Sequence, residues 1–117
     1  MGHADPHKDE TAYLRLILDS VAKIKEYTKG MDLMSFKADG KTQSAVIMQL
    51  QVIGELAKKI PRHFRDAIVL PWKQMAGLRD LVSHDYFSLD VQVIWNTVET
   101  SIPEAEKKIG DYLASIG

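Results

Sequence analysis

Apolar residues recur with a helical period through almost the whole chain, and this pattern limits the fold to packed helices. No segment shows the strict alternation that is typical of a half-buried strand. The first apolar stripe recurs at i, i+3, i+4, i+7 and i+10, and therefore lies on one helix face: Leu14, Ile17, Leu18, Val21 and Ile24. A chain of 117 residues is one domain. We predict an all-α domain over residues 10–117, preceded by a disordered polar tail at residues 1–9.

A second helix, predicted from Thr42 to Ile60, is apolar on two faces. It ends before Pro61, whose ring disfavours a helical conformation for the preceding residue. One face carries Val46, Leu50, Ile53, Ala57 and Ile60, and the other carries Met48, Val52 and Leu56. Two apolar faces indicate a helix that is central in the bundle and also contributes to an oligomer interface. Gly54 costs about 1 kcal/mol relative to alanine inside a helix, a cost that the close approach of another backbone explains.

Two further helices complete the predicted antiparallel bundle of four to five helices. Pro71 suits the first position of the third helix, whose one side carries Trp72, Met75, Ala76, Arg79 and Val82. Ser88 and Asp90 are start signals for the fourth. Pro103 should kink this helix without changing its buried face. That face carries Val91, Ile94, Trp95, Val98, Ile102, Ala105, Ile109, Leu113 and Ile116.

Composition excludes few classes of function. The chain has no cysteine, so disulfides and thiolate metal sites are excluded. Its net charge of −1 disfavours a wide basic face that coats duplexes. No apolar run approaches the length that spans a bilayer, and the N-terminus is polar, so we expect a soluble cytoplasmic protein. An enzyme, a binding module and an assembly subunit all remain open.

The stretch GLRDLVSHDYF, residues 77–87, concentrates the reactive side chains. Arg79 is in phase with an apolar stripe, so either its head pairs with an acid such as Glu55 or it faces a cleft and binds an anion. His84 lies about 140° away around an α-helix. Asp80, one turn before His84, can hydrogen-bond the imidazole and raise its basicity. An arginine and a histidine suffice to cleave RNA through its own 2′-hydroxyl without a metal.

A cluster of cations follows the second helix. It has two interpretations: a patch that contacts RNA phosphates, or a solvated helix end whose charges suit the helix dipole. The candidate phosphate contacts are Lys58, Lys59, Arg62 and Arg65.

Three segments, IGELAKKIP, LPWKQMAGLRDLVSHDYF and VIWNTVETSIPEAEKKI, closely resemble the HepT toxins of the HEPN superfamily. The resemblance covers roughly residues 14–113 and includes the pattern Arg-x-x-x-x-His-x-Tyr, formed here by Arg79, His84 and Tyr86. It implies an all-helical homodimer and a metal-independent endoribonuclease that needs no cofactor. Paired sites would lie in a cleft between protomers, with Arg79 and His84 as the catalytic pair. Asp80 stands where the family often has asparagine, and Glu55 is expected to support the arginine.

The resemblance also implies a partner. HepT toxins are neutralised by a minimal nucleotidyltransferase antitoxin, MntA, which adds AMP to the motif tyrosine, here Tyr86. The chain would then be the toxin of a type VII-like toxin–antitoxin pair. One alternative is a non-catalytic HEPN module that binds or regulates the nucleotidyltransferase. Another is a simple helical assembly subunit, in which Arg79 and His84 affect only stability.

Overall fold

A computed structural model describes residues 6–81 and 89–117, and within these ranges the chain forms helices and no strand. The all-α class predicted from the apolar period is therefore confirmed. In chain order the elements are α1 (Pro6–Thr28), α2 (Leu33–Lys37), α3 (Gly40–Lys59), α4 (Arg62–Ala67), α5 (Trp72–Gly77), a 3₁₀ turn (Leu78–Asp80), α6 (Val91–Asn96), a π-helical turn (Thr97–Ser101) and α7 (Ile102–Ile116).

Helices α1 and α3 form an antiparallel pair at the centre of the fold. The ammonium of Lys59, at the end of α3, lies 5.6 Å from the ring centroid of Tyr13, near the start of α1. Helix α3 also contacts α5 and the 3₁₀ turn, so the central position predicted for it is confirmed. The largest fully buried side chains come mainly from these two helices: Leu14, Ile17, Val21, Ile24, Val46, Leu50 and Ile53, with Phe36 and Ile109.

The ends of α1 follow from residues with special backbone preferences. The helix begins at Pro6, so it includes residues 6–9, which the sequence pattern assigned to the tail. Proline suits a first helical position because the amide that it lacks has no intrahelical partner there. The helix ends at Thr28, and Gly30 has a φ of +77°, a left-handed conformation that favours glycine.

Aspartates cap the two helices that follow. The Asp32 carboxylate accepts a hydrogen bond from the Ser35 amide at 2.8 Å, and the Asp39 carboxylate accepts one from the Thr42 amide at 3.0 Å. These hydrogen bonds are the largest causes that lower the pKa of each carboxyl below its ordinary value of 3.8. Asp39 starts α3 at Gly40, two residues before the predicted start.

The short helix α2 contributes an aromatic side chain that the sequence pattern did not identify as core. Phe36 is fully buried, and its ring centroid lies 5.1 Å from that of Trp95 on α6. Trp95 is buried, as the phase of its helix predicts, and Trp72 is buried as well. The indole N–H of Trp72 also donates a 2.9 Å hydrogen bond to the Ile68 carbonyl.

Helices α6 and α7 are joined by the π-helical turn immediately before Pro103. Proline has no amide to donate and its ring crowds the carbonyl of Glu99, so a wider turn accommodates it without ending the helix. The buried face stays in phase across the turn, as predicted, through Leu113. The prediction was wrong for Ile116, which is 52% exposed because it borders an open cleft beside His63.

Candidate functional site

Arg79 lies on the 3₁₀ turn where the main chain leaves α5, and this turn rests directly on α3 at Gly54. A Cβ atom at Gly54 would overlap the amide nitrogen of Arg79, and would lie 2.9 Å from the carbonyl carbon of Leu78 and 3.0 Å from the carbonyl oxygen of Met75. Only a residue without a side chain permits this approach. The close backbone contact predicted from the helix-interior glycine is therefore present, and the backbone involved is that of Arg79.

The Arg79 side chain lies at the surface between two carboxylates. Its Nη1 atom is 3.8 Å from Glu55 Oε2, and its Nε atom is 3.4 Å from Asp80 Oδ1. The side chains of Arg79, Glu55 and Asp80 are 40%, 54% and 49% exposed. Both separations exceed the roughly 2.7–3.2 Å of an N–H···O hydrogen bond, so the ion pairs are loose. The predicted pairing with Glu55 is present, and its geometry also leaves the guanidinium accessible to an anion.

The chain does not continue as an α-helix through the reactive stretch. Helix α5 ends at Gly77 and tightens into the 3₁₀ turn at Leu78–Asp80. The 3₁₀ turn advances each residue by about 120° instead of 100°, so Arg79 stays close in phase to Trp72, seven residues earlier. Its side chain is nevertheless 40% exposed, whereas Trp72 and Met75 are buried. Arg79 thus keeps its phase with the apolar stripe, while its guanidinium lies at the surface between Glu55 and Asp80. His84 and Tyr86 lie outside the described residues, and their convergence with Arg79 stays a prediction.

The candidate phosphate contacts lie on two helices and are all exposed. Lys58 is three residues after Glu55 on α3, so it lies one turn further along the face that meets Arg79. Lys59 is on a neighbouring face, where its ammonium lies over Tyr13. Arg62 and Arg65 lie on α4, and Arg62 is 3.9 Å from the Asp66 carboxylate. The structure thus places Lys58 next to the Arg79 region and the other cations beyond it along the chain.

An apolar strip lies on the same face of α3 as Glu55. Met48 and Val52 are 58% and 36% exposed, and they precede Glu55 by seven and three residues. That spacing puts all three on adjoining turns of one face. The second apolar stripe of α3 is thus partly open to solvent near Arg79, while Leu56 is buried in the core. The use of this strip at an oligomer interface stays a prediction.

Other parts of the described chain offer fewer reactive groups. A small apolar cleft lies beside α5, where Ile17, Met75 and Ile102 form part of its wall. Among the side chains that the structure describes, no three histidine or acidic groups lie closely enough together to hold a metal ion. No helix within residues 6–81 and 89–117 combines the length and apolar character needed to cross a membrane.

The sequence interpretation named Glu55 as a site residue but did not include Gly54. The signal that identifies Gly54 was present, since a glycine in the middle of a long helix is unfavourable unless space demands it. The sequence pattern did not identify the segment that packs against Gly54, which is the 3₁₀ turn that carries Arg79.

Comparison with known proteins gives consistent results. The family described as Ribonuclease HepT-like matches residues 17–111. The protein named "Probable ribonuclease HepT" from Thermococcus cleftensis is 42% identical over 103 residues, covering 87% of this chain and 91% of that protein. A protein of Methanocaldococcus jannaschii, named as a candidate RNase, is 39% identical over 112 residues, covering 95% of this chain and 93% of its own length. Another candidate RNase, from Caldanaerobacter subterraneus, is 36% identical over 107 residues, or 91% and 96% of the two chains. No solved structure matches the chain.

Proposed function

The chain belongs to the HepT-like ribonuclease family, and from this membership we propose that it is an endoribonuclease with Arg79 and His84 as its catalytic residues. The observation that carries the proposal is the position of Arg79, which is exposed on a tight turn and held only loosely by two carboxylates. A guanidinium in this state can exchange a carboxylate for an RNA phosphate, because both anions offer oxygens to the same donors.

The proposed reaction is transesterification within RNA. His84 accepts the proton of a ribose 2′-hydroxyl as its oxygen attacks the adjacent phosphorus, and Arg79 stabilises the charge on the phosphoryl oxygens. The bond from phosphorus to the 5′-oxygen then breaks, and that oxygen takes up a proton. The products are a 2′,3′-cyclic phosphate and a 5′-hydroxyl. These steps use side chains and the substrate's own hydroxyl, so we propose a reaction that requires neither a metal nor a cofactor.

We propose that the active form is a homodimer with its sites in a cleft between protomers. The exposed strip of Met48 and Val52 beside Glu55 supports this arrangement, because apolar side chains next to the arginine gain by burial against a second copy. Sedimentation velocity at micromolar concentration is expected to show a dimer, and Val52→Glu is expected to shift it toward monomer. Met34→Glu is the matched control, since Met34 is exposed on a different helix. A monomer for the unchanged chain would contradict the proposed cleft.

We propose that Lys58, Lys59, Arg62 and Arg65 contact phosphates of the RNA that flank the cleaved bond. Each lost phosphate contact is expected to weaken RNA binding and to lower the dependence of log affinity on log salt by about one unit. Lys58→Ala should have the largest effect, because Lys58 lies one turn from the Glu55 and Arg79 pair. Lys23→Ala, an exposed lysine on α1, serves as control. Equal salt slopes for the two variants would remove Lys58 from the RNA interface.

We propose further that the protein is the toxin of a type VII-like toxin–antitoxin pair and acts on RNA in the cytoplasm. A minimal nucleotidyltransferase antitoxin of the MntA type would add AMP to Tyr86. The adenylate adds negative charge two residues from His84, where RNA phosphate must bind, and so blocks the site by repulsion and by bulk. Intact-mass analysis after co-expression is expected to show added AMP units that Tyr86→Phe abolishes. An unchanged mass in the parent chain would remove this regulation.

Cleavage of single-stranded RNA in the presence of a chelator tests the activity directly. His84→Ala is expected to lower the rate about 100- to 10,000-fold, and Arg79→Ala about 100- to 1,000-fold. His63→Ala and Arg15→Ala are matched controls, because they remove a histidine and an arginine that lie outside the proposed pair. The product should end in a cyclic phosphate, and a 2′-deoxy substitution at the cleaved position should stop the reaction. Undiminished cleavage by His84→Ala would contradict the mechanism.

A second candidate function is a non-catalytic module that binds or regulates the nucleotidyltransferase. The negative charges of Glu55 and Asp80 beside Arg79 favour it, since they oppose the approach of RNA. Expression without the partner distinguishes the two functions. Growth arrest supports the ribonuclease, whereas normal growth together with AMP transfer to Tyr86 supports the regulatory module.

A further inference from the structure

Two consecutive residues of α3 meet both ends of Arg79. Gly54 lies under the main chain of Arg79, where any Cβ would overlap the amide nitrogen. Glu55, the next residue, brings its Oε2 atom to 3.8 Å from Nη1 of the same arginine. Two consecutive residues of one helix therefore contact both the main chain and the head group of Arg79, and Asp80 adds a second carboxylate 3.4 Å from Nε.

Gly54 lies so close to the 3₁₀ turn that only glycine fits there, which is not true of the glycines used as controls. A Cβ built at Gly77 or at Gly110 meets nothing within 4 Å beyond its immediate neighbours, so neither position requires glycine. At Gly54, the carbonyl carbon of Leu78 would lie 2.9 Å from the added Cβ, whereas ordinary contact begins at 3.4 Å. An alanine there would push the turn away by about 0.5 Å at Leu78 and further at Arg79.

We propose that Gly54 and Glu55 are positioning residues for Arg79: Gly54 sets the depth of its main chain, and Glu55 sets the direction of its guanidinium. This inference rests on the proposed function, in which Arg79 binds the RNA phosphate. An arginine has many rotamers, and ordering them before the substrate arrives lowers the entropic cost of binding the transition state. Because the Glu55 contact is long and half exposed, a phosphate displaces it at small cost.

The main-chain part of the inference is tested with Gly54→Ala, compared with Gly77→Ala and Gly110→Ala. A displacement of this size at a catalytic group is expected to lower kcat by about 10- to 100-fold, with a smaller change in KM. The two control variants should keep the parent kcat, because both positions have open space. Parent-like kcat in a folded Gly54→Ala protein would overturn the role of Gly54.

The side-chain part is tested with Glu55→Gln and Glu55→Asp, which change only an exposed residue and should fold even if Gly54→Ala does not. We expect kcat to fall several-fold in Glu55→Gln and to recover partly in Glu55→Asp, which restores the charge. A rise in cleavage rate and RNA affinity in Glu55→Gln would mean that Glu55 competes with phosphate, and would overturn its positioning role.

A readout that is independent of activity separates this inference from the proposed function. The Nε–H signal of Arg79 in a ¹⁵N NMR spectrum, assigned by its loss in Arg79→Lys, should shift in Gly54→Ala and Glu55→Gln but not in Gly110→Ala. An unmoved signal in both site variants overturns the inference even if the parent protein cleaves RNA. If the parent protein cleaves no RNA while the signal shifts as expected, the proposed function fails and the positioning of Arg79 stands.

Discussion

Replacing Arg79 by glutamine separates the two roles that an arginine at this position can have. If its ion pairs hold the turn in place, the free energy of unfolding falls strongly. If it serves a substrate, stability changes little while cleavage is lost. Glutamine keeps most of the aliphatic stem, so the change removes chiefly the charge.

The separations in the two ion pairs give the expected change in the free energy of unfolding. Charges 3.8 Å apart attract by about 1 kcal/mol in water, and a pair at 3.4 Å is only slightly stronger. Exposed pairs of this kind contribute about 0.2–1 kcal/mol in double-mutant cycles, because side-chain entropy and solvent screening offset the attraction. We therefore expect Arg79→Gln to lower the free energy of unfolding by less than about 1 kcal/mol, and its coupling with Glu55→Gln to be smaller still.

Urea denaturation of the parent, the two single variants and the double variant measures this coupling. Urea is uncharged and so leaves the ion pairs unscreened, and repeating the cycle in 1 M NaCl should weaken the coupling because the Debye length falls to about 3 Å, close to the separation of the charges. A loss of 3 kcal/mol or more, the range typical of a buried pair with one partner removed, would refute the reasoning. It would favour instead the interpretation in which Arg79 is a structural residue of a helical assembly subunit.

Three further predictions concern the scaffold around the site. Phe36→Ala should lower the free energy of unfolding by about 3–5 kcal/mol, because the ring is fully buried. Met34→Ala on the same helix should change it by less than about 0.5 kcal/mol. Urea denaturation curves measure both changes. Pro103→Ala should change the free energy of unfolding by less than about 1 kcal/mol in urea curves, because the π-helical turn already accommodates the proline ring. Asp39→Ala should lower the melting temperature at pH 7, and the difference from the parent should vanish as the pH falls through the depressed pKa of the folded Asp39 carboxyl.

Long periodic segments of the sequence predict their own structure well. The bounds of α3 differ from the prediction by two residues at the start and one at the end, because twenty residues of repeated apolar spacing define one face and Pro61 fixes the end. Phe36 could not be assigned to the core in this way, since α2 has five residues and shows no period. Its burial depends on Trp95, which is 59 residues further along the chain and is brought to it only by the tertiary fold.

The candidate site could be predicted in composition but not in geometry. The sequence names Arg79, and the acid Glu55 as its partner, since a charged residue on an apolar stripe needs one. Helical phase aligns Arg79 with the buried stripe but does not reveal that its guanidinium lies at the surface between Glu55 and Asp80. The angle of about 140° to His84 assumes 100° per residue, and α5 ends at Gly77, before both residues.

Pro103 and Gly54 are both unfavourable inside a helix, but their structural consequences differ. Pro103 interrupts a helix, and the wider turn before it absorbs the ring while the buried face keeps its phase. Gly54 weakens a central helix, and in return the main chain of Arg79 approaches α3 more closely than any side chain would permit. An unfavourable residue inside a helix indicates a functional site only where it also positions a reactive side chain. By that criterion Gly54 belongs to the site and Pro103 to the scaffold, and only Gly54→Ala should alter the position of Arg79.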